Sequence, residues 1–465
     1  MEARIPTRLP WWPLPVFIAL GFVFFWPVLG LTAFSDDHSA LWGAAVHGTP
    51  WRNGFLRPVS DFTFRVVHLL GGTSPLAQRC FNVSLHGANA FLLFAFFIRY
   101  LGRSSGMANP VAWLAGLLFI VYPFHQESIV WLVGRESSLG TFFVLLGLLF
   151  LNGSGPQWRR IGLACAAMFV GALCYESALL LPLLIIPLAW SGMIADPIAP
   201  SKLGVGFGTV FTLYVVVWLM QGNGQDGSYL GGFFEKGPMT FLMNIPKVCA
   251  RLFLPPMVPS RMAPATVALF VVLTFLMVVI RRSTWHDLVG LRNILVLFLL
   301  LIITCTLPVF GSVSTRTSES DRFLYMPSAF LCAIVATLIT RIPRTGLRRA
   351  ATVLLLITSM WLLRQNHRNW EYASATTAQI LLKLPAPPTK GRLFVSGLPD
   401  SDNGAFIFRN GFRDAISING RDGGRYLAVP VGRHQHEGFR FGGRDIIPAE
   451  MDRWIDWHDG SYHEN

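Results

Sequence analysis

The sequence predicts an all-α polytopic membrane protein with about 11 transmembrane helices, followed by a small β-rich C-terminal extension. Of its 465 residues, 52% are hydrophobic and only 14% are charged, whereas a soluble protein carries about a quarter charged residues. Apolar runs of about twenty residues, long enough to cross the hydrocarbon core, recur from residue 11 to residue 364. The residues after them are rich in Gly, Asp, Arg and aromatic side chains.

Eleven apolar runs are candidate spans. Their approximate limits are 11–32, 79–101, 109–124, 137–152, 161–176, 177–194, 203–220, 264–281, 291–310, 322–341 and 349–364. The apolar stretch 238–258 also contains Lys247, Arg251 and several prolines, which predicts a juxtamembrane or re-entrant helix at the outer surface. The first run is too long to be only the apolar region of a cleaved signal peptide, so we expect it to remain as an anchor.

The loop charges predict the orientation. Basic residues, beginning with Arg4 and Arg8, recur in alternate loops, as is typical of cytoplasmic loops. The net charge of +13 is therefore spread over short loops and does not form one nucleic-acid-binding patch. Eleven of the 14 acidic residues before the tail fall in the opposite loops. We expect an active site and a C-terminus on that outer face, the periplasmic side of a bacterial inner membrane.

Two domains are predicted. Residues 1–375 form the membrane domain, in which residues 33–78 are a long outer loop of the kind that tends to be functional. Residues 376–465 form a small extracytoplasmic domain that begins near the linker LPAPPTKG. Short alternating runs such as RLFVSG predict strands there, and this domain either shapes the acceptor site or braces the outer loops. The six cysteines include no CxxC pair, which predicts neither a zinc site nor a disulfide framework.

The most informative motif is the adjacent carboxylate pair Asp36 and Asp37, directly beyond the first span. Charged groups at a membrane surface cost free energy to desolvate and usually have a function. The alternative is that the pair only ends the first helix in water, as charged flanking residues often do.

Further outer motifs carry candidate binding groups. These are RPVSDF with Arg57, YPFHQESIVWLVGRESSLG with His125, Glu127, Arg135 and Glu136, CYESALLLP with Glu176, and SVSTRTSESDRFLYMPS with Arg316, Arg322 and Tyr325. Histidine and glutamate can act as acids, bases or metal ligands. Arginines on an outer face suit a phosphate or diphosphate group, which a guanidinium binds bidentately. The alternative is local ion pairing with the neighbouring acids.

Taken in order, DD, RPVSDF, NVSLHGANAFLLF, YPFHQESIVWLVGRESSLG, CYESALLLP, DRFLYMPS and RQNHRNW resemble the GT-C superfamily of membrane glycosyltransferases. The resemblance is greatest to the membrane part of transmembrane-and-tetratricopeptide protein O-mannosyltransferases and their bacterial relatives, and it covers about residues 10–375. The tail does not resemble tetratricopeptide repeats, so the acceptor stays open.

The resemblance implies an inverting transfer of a sugar from a polyprenyl-phosphate-linked donor to a hydroxyl of a glycan, lipid or protein acceptor. It implies that Asp36 or Asp37, preferably Asp36, is the general base. The implied phosphate ligands are Arg57, Arg135, Arg316 and Arg322. His125 and Glu127 would orient a substrate or help to hold a divalent cation, although no required metal or other cofactor is predicted.

Other functional classes stay open on the sequence alone. A lipid-linked sugar flippase or secondary transporter would use the acids as an ion path, but transport acids normally lie at mid-membrane and these fall in outer loops. A non-enzymatic polysaccharide-assembly protein would not depend on Asp36 or Asp37. A polymerase or ligase of the O-antigen type is a further enzymatic alternative.

Overall fold

The structure, a computed structural model, describes residues 10–48, 56–101, 108–194, 198–220, 237–257, 260, 261, 264, 267, 288–429, 439–441, 444–446 and 451–464. Its helices are α1 Pro13–Phe25, α2 Asp36–Val46, α3 Pro58–Gly71, α4 Pro75–Phe96, α5 Ala108–Ile120, α6 Gln126–Ile129, α7 Arg135–Leu151, α8 Gln157–Ala172, α9 Leu181–Trp190, α10 Pro200–Met220, α11 Pro238–Arg251, α12 Leu288–Thr304, α13 Thr306–Gly311, α14 Tyr325–Thr340, α15 Thr345–Lys383 and α16 Phe412–Ile418. The strands are β1 Leu393–Ser396, β2 Ser401–Asp402, β3 Ala405–Phe406, β4 Tyr426–Ala428, β5 Phe439–Phe441, β6 Arg444–Ile446, β7 Arg453–His458 and β8 Ser461–Glu464.

Ten of the predicted apolar runs coincide with helices, and the run at 264–281 lies almost wholly outside the described residues. Within the described part, five helices are long and apolar enough to cross a membrane, and three shorter apolar helices accompany them. The protein is therefore a mostly helical integral membrane protein. The number of eleven spans stays a prediction, as does their orientation.

Helices α4, α5, α7 and α14 form the centre of the bundle, with α1 packed against α4. Small residues allow these close contacts: a Cβ atom at Gly87 would lie 2.6 Å from the backbone of Ile18, and one at Gly116 would lie 2.6 Å from the ring of Phe17. The apolar part of α14 is 83% buried, whereas that of α15 is only 6% buried. Leucines and aromatics on the peripheral helices are thus left for lipid to cover.

Helix α15 connects the bundle to the C-terminal domain. Its 39 residues make a rod of about 58 Å, nearly twice the ~30 Å thickness of the hydrocarbon core. The helix continues beyond the predicted span end at 364 and the predicted domain boundary at 375. One side of its later half is buried against the rest of the protein, and this side includes Trp370, Ser374 and Ile380. Ser374 accepts a hydrogen bond from the N–H of Thr32 at 3.0 Å, which ties α15 to the chain before the Asp pair.

The C-terminal domain contains a four-stranded mixed sheet in the order β4-β1-β7-β8. Strand β1 pairs in parallel with both β4 and β7, and β7 and β8 form an antiparallel hairpin. Asp459 and Gly460 at the hairpin turn both have positive φ, as a two-residue primed turn requires. The small predicted sheet is therefore confirmed. Helix α16 from this domain packs against α2, the helix that the Asp pair begins.

Candidate active site

The Asp pair opens helix α2, where the C-terminal domain meets the bundle. Asp36 is half-buried and Asp37 is completely buried. The Asp37 carboxylate accepts hydrogen bonds from the N–H of Phe34 at 3.2 Å and the N–H of Val133 at 3.0 Å. Burial raises the pKa of Asp37 to about 7, although Arg79 and the backbone N–H groups favour its charged form. Of the two carboxylates, Asp36 therefore has the greater access to solvent.

A buried guanidinium holds the chain before the Asp pair. Arg79 of α4 donates to the carbonyl oxygens of Leu29, Leu31 and Thr32, and to that of Val130 at 3.0 Å. The carbonyls of Leu29, Leu31 and Thr32 lie beyond the regular part of α1, where helical hydrogen bonds end. Each would cost about 1–3 kcal/mol if it were buried without a partner. Arg79 is not among the predicted site residues, and the structure assigns it this supporting position.

A short segment, residues 127–136, joins the charged groups of the site, and we call it the hub turn. Its Val133 N–H donates to the Asp37 carboxylate. Its first and last residues, Glu127 and Glu136, form ion pairs with arginines on other elements. The segment folds back at Gly134, where a Cβ atom would overlap the carbonyl oxygen of Glu127. The fold of this turn therefore sets the relative positions of the acids and the arginines.

Arg57 precedes α3 and lies among acidic and aromatic side chains. It forms ion pairs with Glu136 and with Glu176, the latter at 3.0 Å between Nη2 and Oε2. Its guanidinium carbon lies 4.7 Å from the ring centre of Tyr175. Burial disfavours the Arg57 charge, but the two carboxylates outweigh burial and raise its pKa. The Glu136 side chain is 3% exposed and that of Glu176 is 36% exposed, so Glu176 is the more accessible of the two partners.

Arg322 lies at the start of the turn that leads into α14. Its side chain pairs with Glu127, and its backbone N–H donates to the same carboxylate at 3.0 Å. Glu127 is 1% exposed, and burial raises its pKa despite the opposing effect of Arg322. The Arg322 guanidinium carbon lies 4.9 Å from the ring centre of Phe323 and 5.3 Å from that of Trp131. Arg322 is therefore charged, oriented and partly accessible.

The two arginines flank one aromatic pair. The rings of Tyr175 and Phe323 stack with centroids 6.5 Å apart, and each ring carries one of the guanidinium groups, those of Arg57 and Arg322. Aromatic faces hold a planar guanidinium while leaving its N–H groups free to bind other partners. The aromatic stack thus carries a guanidinium group on each of its two rings, and guanidinium groups can bind phosphate bidentately.

A second buried ion pair supports the turn that carries Arg322. Arg251 of α11 pairs with Asp321, and their side chains are 0% and 2% exposed. Arg251 also donates to the carbonyl oxygen of Ser314 at 3.0 Å, and it packs over the ring of Phe124. This pair is not among the predicted site residues.

Arg135 occupies a different environment from its neighbour Glu136. It is completely buried, donates to the side chain of Gln78 at 2.6 Å and lies 3.9 Å from the ring centre of Phe64. The structure thus surrounds Arg135 with protein groups, and any contact of Arg135 with substrate stays a prediction.

His125 and Tyr325 belong to a buried polar network in the bundle. Their rings lie 4.4 Å apart, and His125 Nε2 hydrogen-bonds to Ser328 Oγ at 2.7 Å. The Tyr325 hydroxyl hydrogen-bonds to His86 Nδ1 at 2.8 Å and accepts from Asn89 at 3.1 Å. Burial lowers the pKa of His125 well below its usual range. A direct substrate role for this pair stays a prediction.

Arg316 lies exposed in the loop before Arg322, and its backbone N–H donates to Ser314 Oγ at 3.3 Å. No cluster of three or more His, Cys, Asp or Glu side chains that could hold a metal ion occurs in the described part of the chain. The glutamates at the ends of the hub turn are instead paired with arginines.

Curated relatives are similar to part of the chain. Human "Protein O-mannosyl-transferase TMTC3" is 27% identical over 153 residues, which are 32% of this chain and 16% of that protein. Mouse "Protein O-mannosyl-transferase TMTC2" is 35% identical over 95 residues, which are 20% of this chain and 10% of that protein. The chain spans less than a fifth of the length of either relative. No family model matches the chain.

Among solved structures, the arabinofuranosyltransferase AftD from Mycobacteria is similar over 92% of this chain and 32% of its own, with a TM-score of 0.50 and 15% identity. The predicted resemblance to membrane protein O-mannosyltransferases is confirmed over the matched segments. At this identity the likeness to AftD concerns the fold alone. This likeness of fold covers 92% of the chain.

Proposed function

We propose that the protein is an inverting GT-C-type glycosyltransferase that moves a sugar from a polyprenyl-phosphate-linked donor to an acceptor hydroxyl at the outer face of the membrane. The observation that carries this proposal is the hub turn, which binds Asp37 through Val133 and pairs with Arg57 and Arg322 at its two ends. A base and two cations around one turn provide what sugar transfer from a phosphate needs.

Asp36 is the proposed general base. It takes the proton of the acceptor hydroxyl as that oxygen forms a bond to the anomeric carbon and the bond from that carbon to the phosphate oxygen breaks. The partial exposure of Asp36 supports this choice, because Asp37 is buried with two backbone N–H donors. Asp37 would fix the first turn of α2 through its hydrogen bonds to the N–H groups of Phe34 and Val133.

Arg57 and Arg322 are the proposed ligands of the leaving phosphate. Their guanidinium groups flank the Tyr175–Phe323 stack, and a phosphate bound between them would displace the partly exposed Glu176. The negative charge that develops on the polyprenyl phosphate would then be balanced by fixed cations. The proposed chemistry uses no metal ion, and an added divalent cation would be one variable of the assay.

The acceptor and the donor sugar are open, and so are the rival classes. The names of the sequence relatives support a mannosyl donor and a protein acceptor, whereas the name of the fold neighbour AftD supports an arabinofuranosyl donor. Because the matches cover a small part of each relative, we propose the reaction type and leave the sugar to experiment. A periplasmic site in a bacterial inner membrane is part of the same proposal.

The proposed function can be tested with the purified protein in vesicles that contain labelled polyprenyl-phosphate sugars. We expect release of polyprenyl phosphate and transfer or hydrolysis of at least one sugar. Movement of intact donor across the bilayer without cleavage would instead identify a flippase. If neither occurs with any donor, the glycosyltransferase proposal is wrong and a non-enzymatic assembly role takes its place.

Arg57→Lys tests the phosphate site. Lysine keeps the charge but loses the forked donor group that binds Glu176 through Nε and Nη2, so we expect the KM for the lipid donor to rise roughly tenfold. Arg453→Lys, at an exposed ion pair with Glu464, is the control and should leave KM unchanged. An unchanged KM in Arg57→Lys would remove Arg57 from the donor site.

A further inference from the structure

We infer that residues 401–414 of the C-terminal domain, here called the clamp segment, are a positioning element of the active site. The inference rests on the proposed function. It states that this segment fixes the turn that carries Asp36 and, at the same time, the loop that leads to Arg322. The C-terminal domain would then take part in catalysis through residues that do not touch substrate.

The first contact of the clamp segment is with Ser35, the residue before Asp36. Ser35 has a φ of +46°, a conformation that costs free energy in a residue other than glycine. The Ser35 N–H donates to the carbonyl oxygen of Ile407 at 2.9 Å, and the Asn410 N–H donates to Ser35 Oγ at 3.1 Å. These two hydrogen bonds from the clamp segment hold the strained residue in place.

Further contacts extend along the first turns of α2. The ring of His38 stacks on that of Phe408, with centroids 5.8 Å apart and an angle of 19° between the planes. Ser39 donates a hydrogen bond to the Asp414 carboxylate. The backbone of Gly411 lies so close to the Ser35 carbonyl oxygen that a Cβ atom at Gly411 would overlap it. The clamp segment therefore contacts the residues on both sides of the Asp pair.

The same segment contacts the loop before Arg322. The Ser318 side chain donates to the carbonyl oxygen of Asn403 at 3.1 Å. Glu319 accepts from the Ser401 hydroxyl at 2.8 Å and pairs with Arg409 at 2.8 Å.

Between the two loops, Phe406 of the clamp segment packs on Trp131 of the hub turn, with ring centroids 4.8 Å apart. The clamp segment thus touches three parts of the site: residues 33–40 around the Asp pair, here called the Asp turn, the hub turn, and residues 318–319 in the loop before Arg322. A displacement of about 1 Å between reacting groups can lower a rate by roughly 10²-fold. A rigid connection of this kind is therefore sufficient to affect turnover.

Two glycines of the C-terminal domain provide a matched test. Gly411 and Gly420 flank helix α16 and have φ values of +75° and +76°, so alanine imposes the same backbone strain at both. Only at Gly411 would the new Cβ meet the Ser35 carbonyl oxygen, whereas no described atom lies within 4 Å of a Cβ at Gly420. Relative to Gly420→Ala, we expect Gly411→Ala to lower kcat by about 100-fold and to leave the KM for the lipid donor within about threefold, because the arginines are not altered.

Amide hydrogen exchange separates this inference from the proposed function. In wild type and Gly420→Ala, the Ser35 N–H should be protected by its bond to Ile407, and Gly411→Ala should increase exchange in residues 33–40. If the wild-type protein transfers no sugar, the proposed function fails, but this difference still decides whether the clamp segment holds the Asp turn. The inference is overturned if Gly411→Ala shows wild-type hydrogen exchange in residues 33–40 and has the same kcat as Gly420→Ala.

Ser35→Ala is a milder variant in case Gly411→Ala does not fold. It removes only the hydroxyl that accepts from the Asn410 N–H. We expect kcat to fall by about three- to tenfold with little change in KM. A wild-type kcat in Ser35→Ala together with wild-type exchange in residues 33–40 would contradict the positioning role.

Discussion

Gly134→Ala is the substitution that tests the hub turn most severely. Gly134 has a φ of −59°, which alanine adopts without strain, so only the added Cβ matters. That atom would overlap the Glu127 carbonyl oxygen and would also lie 3.1 Å from the Cα of Ser128. Both neighbours are backbone atoms of the same turn, so a side-chain rotation cannot relieve the overlap. The turn itself must open.

Opening the turn has a calculable cost. Overpacking of a buried site typically costs 1–3 kcal/mol, and an overlap with backbone falls at the upper end, about 3 kcal/mol. That loss lowers the midpoint of thermal unfolding by roughly 3 °C, because a chain of 465 residues has an unfolding entropy of about 1 kcal/mol/K. It also separates Glu127 from Glu136, and with them the two arginines that they bind. We therefore expect sugar transfer to fall by about 100-fold or more in the protein that remains folded.

Thermal unfolding in detergent and single-turnover sugar transfer measure these two effects. The control is Gly162→Ala, an exposed position in α8 where a new Cβ meets no described atom within 4 Å. Helix propensity favours alanine there by up to about 1 kcal/mol, so the control should unfold at or slightly above the wild-type temperature. A Gly134→Ala protein with wild-type unfolding and wild-type turnover would refute the account of the hub turn.

Two further predictions concern pH. Folded Asp37 holds a proton up to about pH 7, whereas the unfolded chain releases it near pH 3.8; this group therefore lowers stability by about 4 kcal/mol across that window as pH rises. The unfolding midpoint of Asp37→Asn minus that of wild type should rise from pH 4 to 7 and then level off. A difference that does not change with pH would contradict this prediction. Arg322→Gln leaves Glu127 buried without its counter-charge and should cost about 3 kcal/mol at pH 8. Burial raises the pKa of Glu127, and the substitution removes the opposing effect of Arg322. The cost should therefore be smaller at pH 5 than at pH 8, and an equal loss at both pH values would contradict this.

The existence of the helices was predictable because a bilayer requires about twenty apolar residues whatever they pack against. Their arrangement was not, because lipid and neighbouring helices accept the same side chains. Thus α10 and α14 both read as apolar spans, yet the apolar part of α10 is 11% buried and that of α14 is 83% buried. Close approach at Gly87 and Gly116 depends on which helices meet, and hydropathy does not contain that information.

Several predicted site residues do lie together, since Arg57 meets Glu136 and Glu176, and Arg322 meets Glu127. The ion pairs that the sequence left open as an alternative are therefore present alongside the proposed binding role.

Arg135 differs from its neighbour for a geometric reason. Successive residues of a helix point about 100° apart, so Glu136 reaches Arg57 while Arg135 stacks on Phe64. A motif read as a string of letters does not separate these two directions.

Two features of the site gave no local signal. Arg79 lies at the edge of an apolar run, and the carbonyl groups that it binds belong to another segment, around residue 30. The clamp segment contacts Ser35 across more than 370 residues of sequence. Such pairings follow from the topology of the C-terminal domain, and no period or composition encodes them.

Asp36→Asn, compared with wild type under single-turnover conditions at saturating lipid donor, tests the central claim most directly. Asparagine has nearly the same shape but cannot take a proton, so the rate of sugar transfer should fall by about 10³-fold. Donor binding should stay within about threefold of wild type, because Arg57 and Arg322 are unchanged. Asp400→Asn makes the same chemical change at an exposed position and should transfer sugar at the wild-type rate. Full-rate transfer by Asp36→Asn would contradict the assignment of Asp36 as the general base.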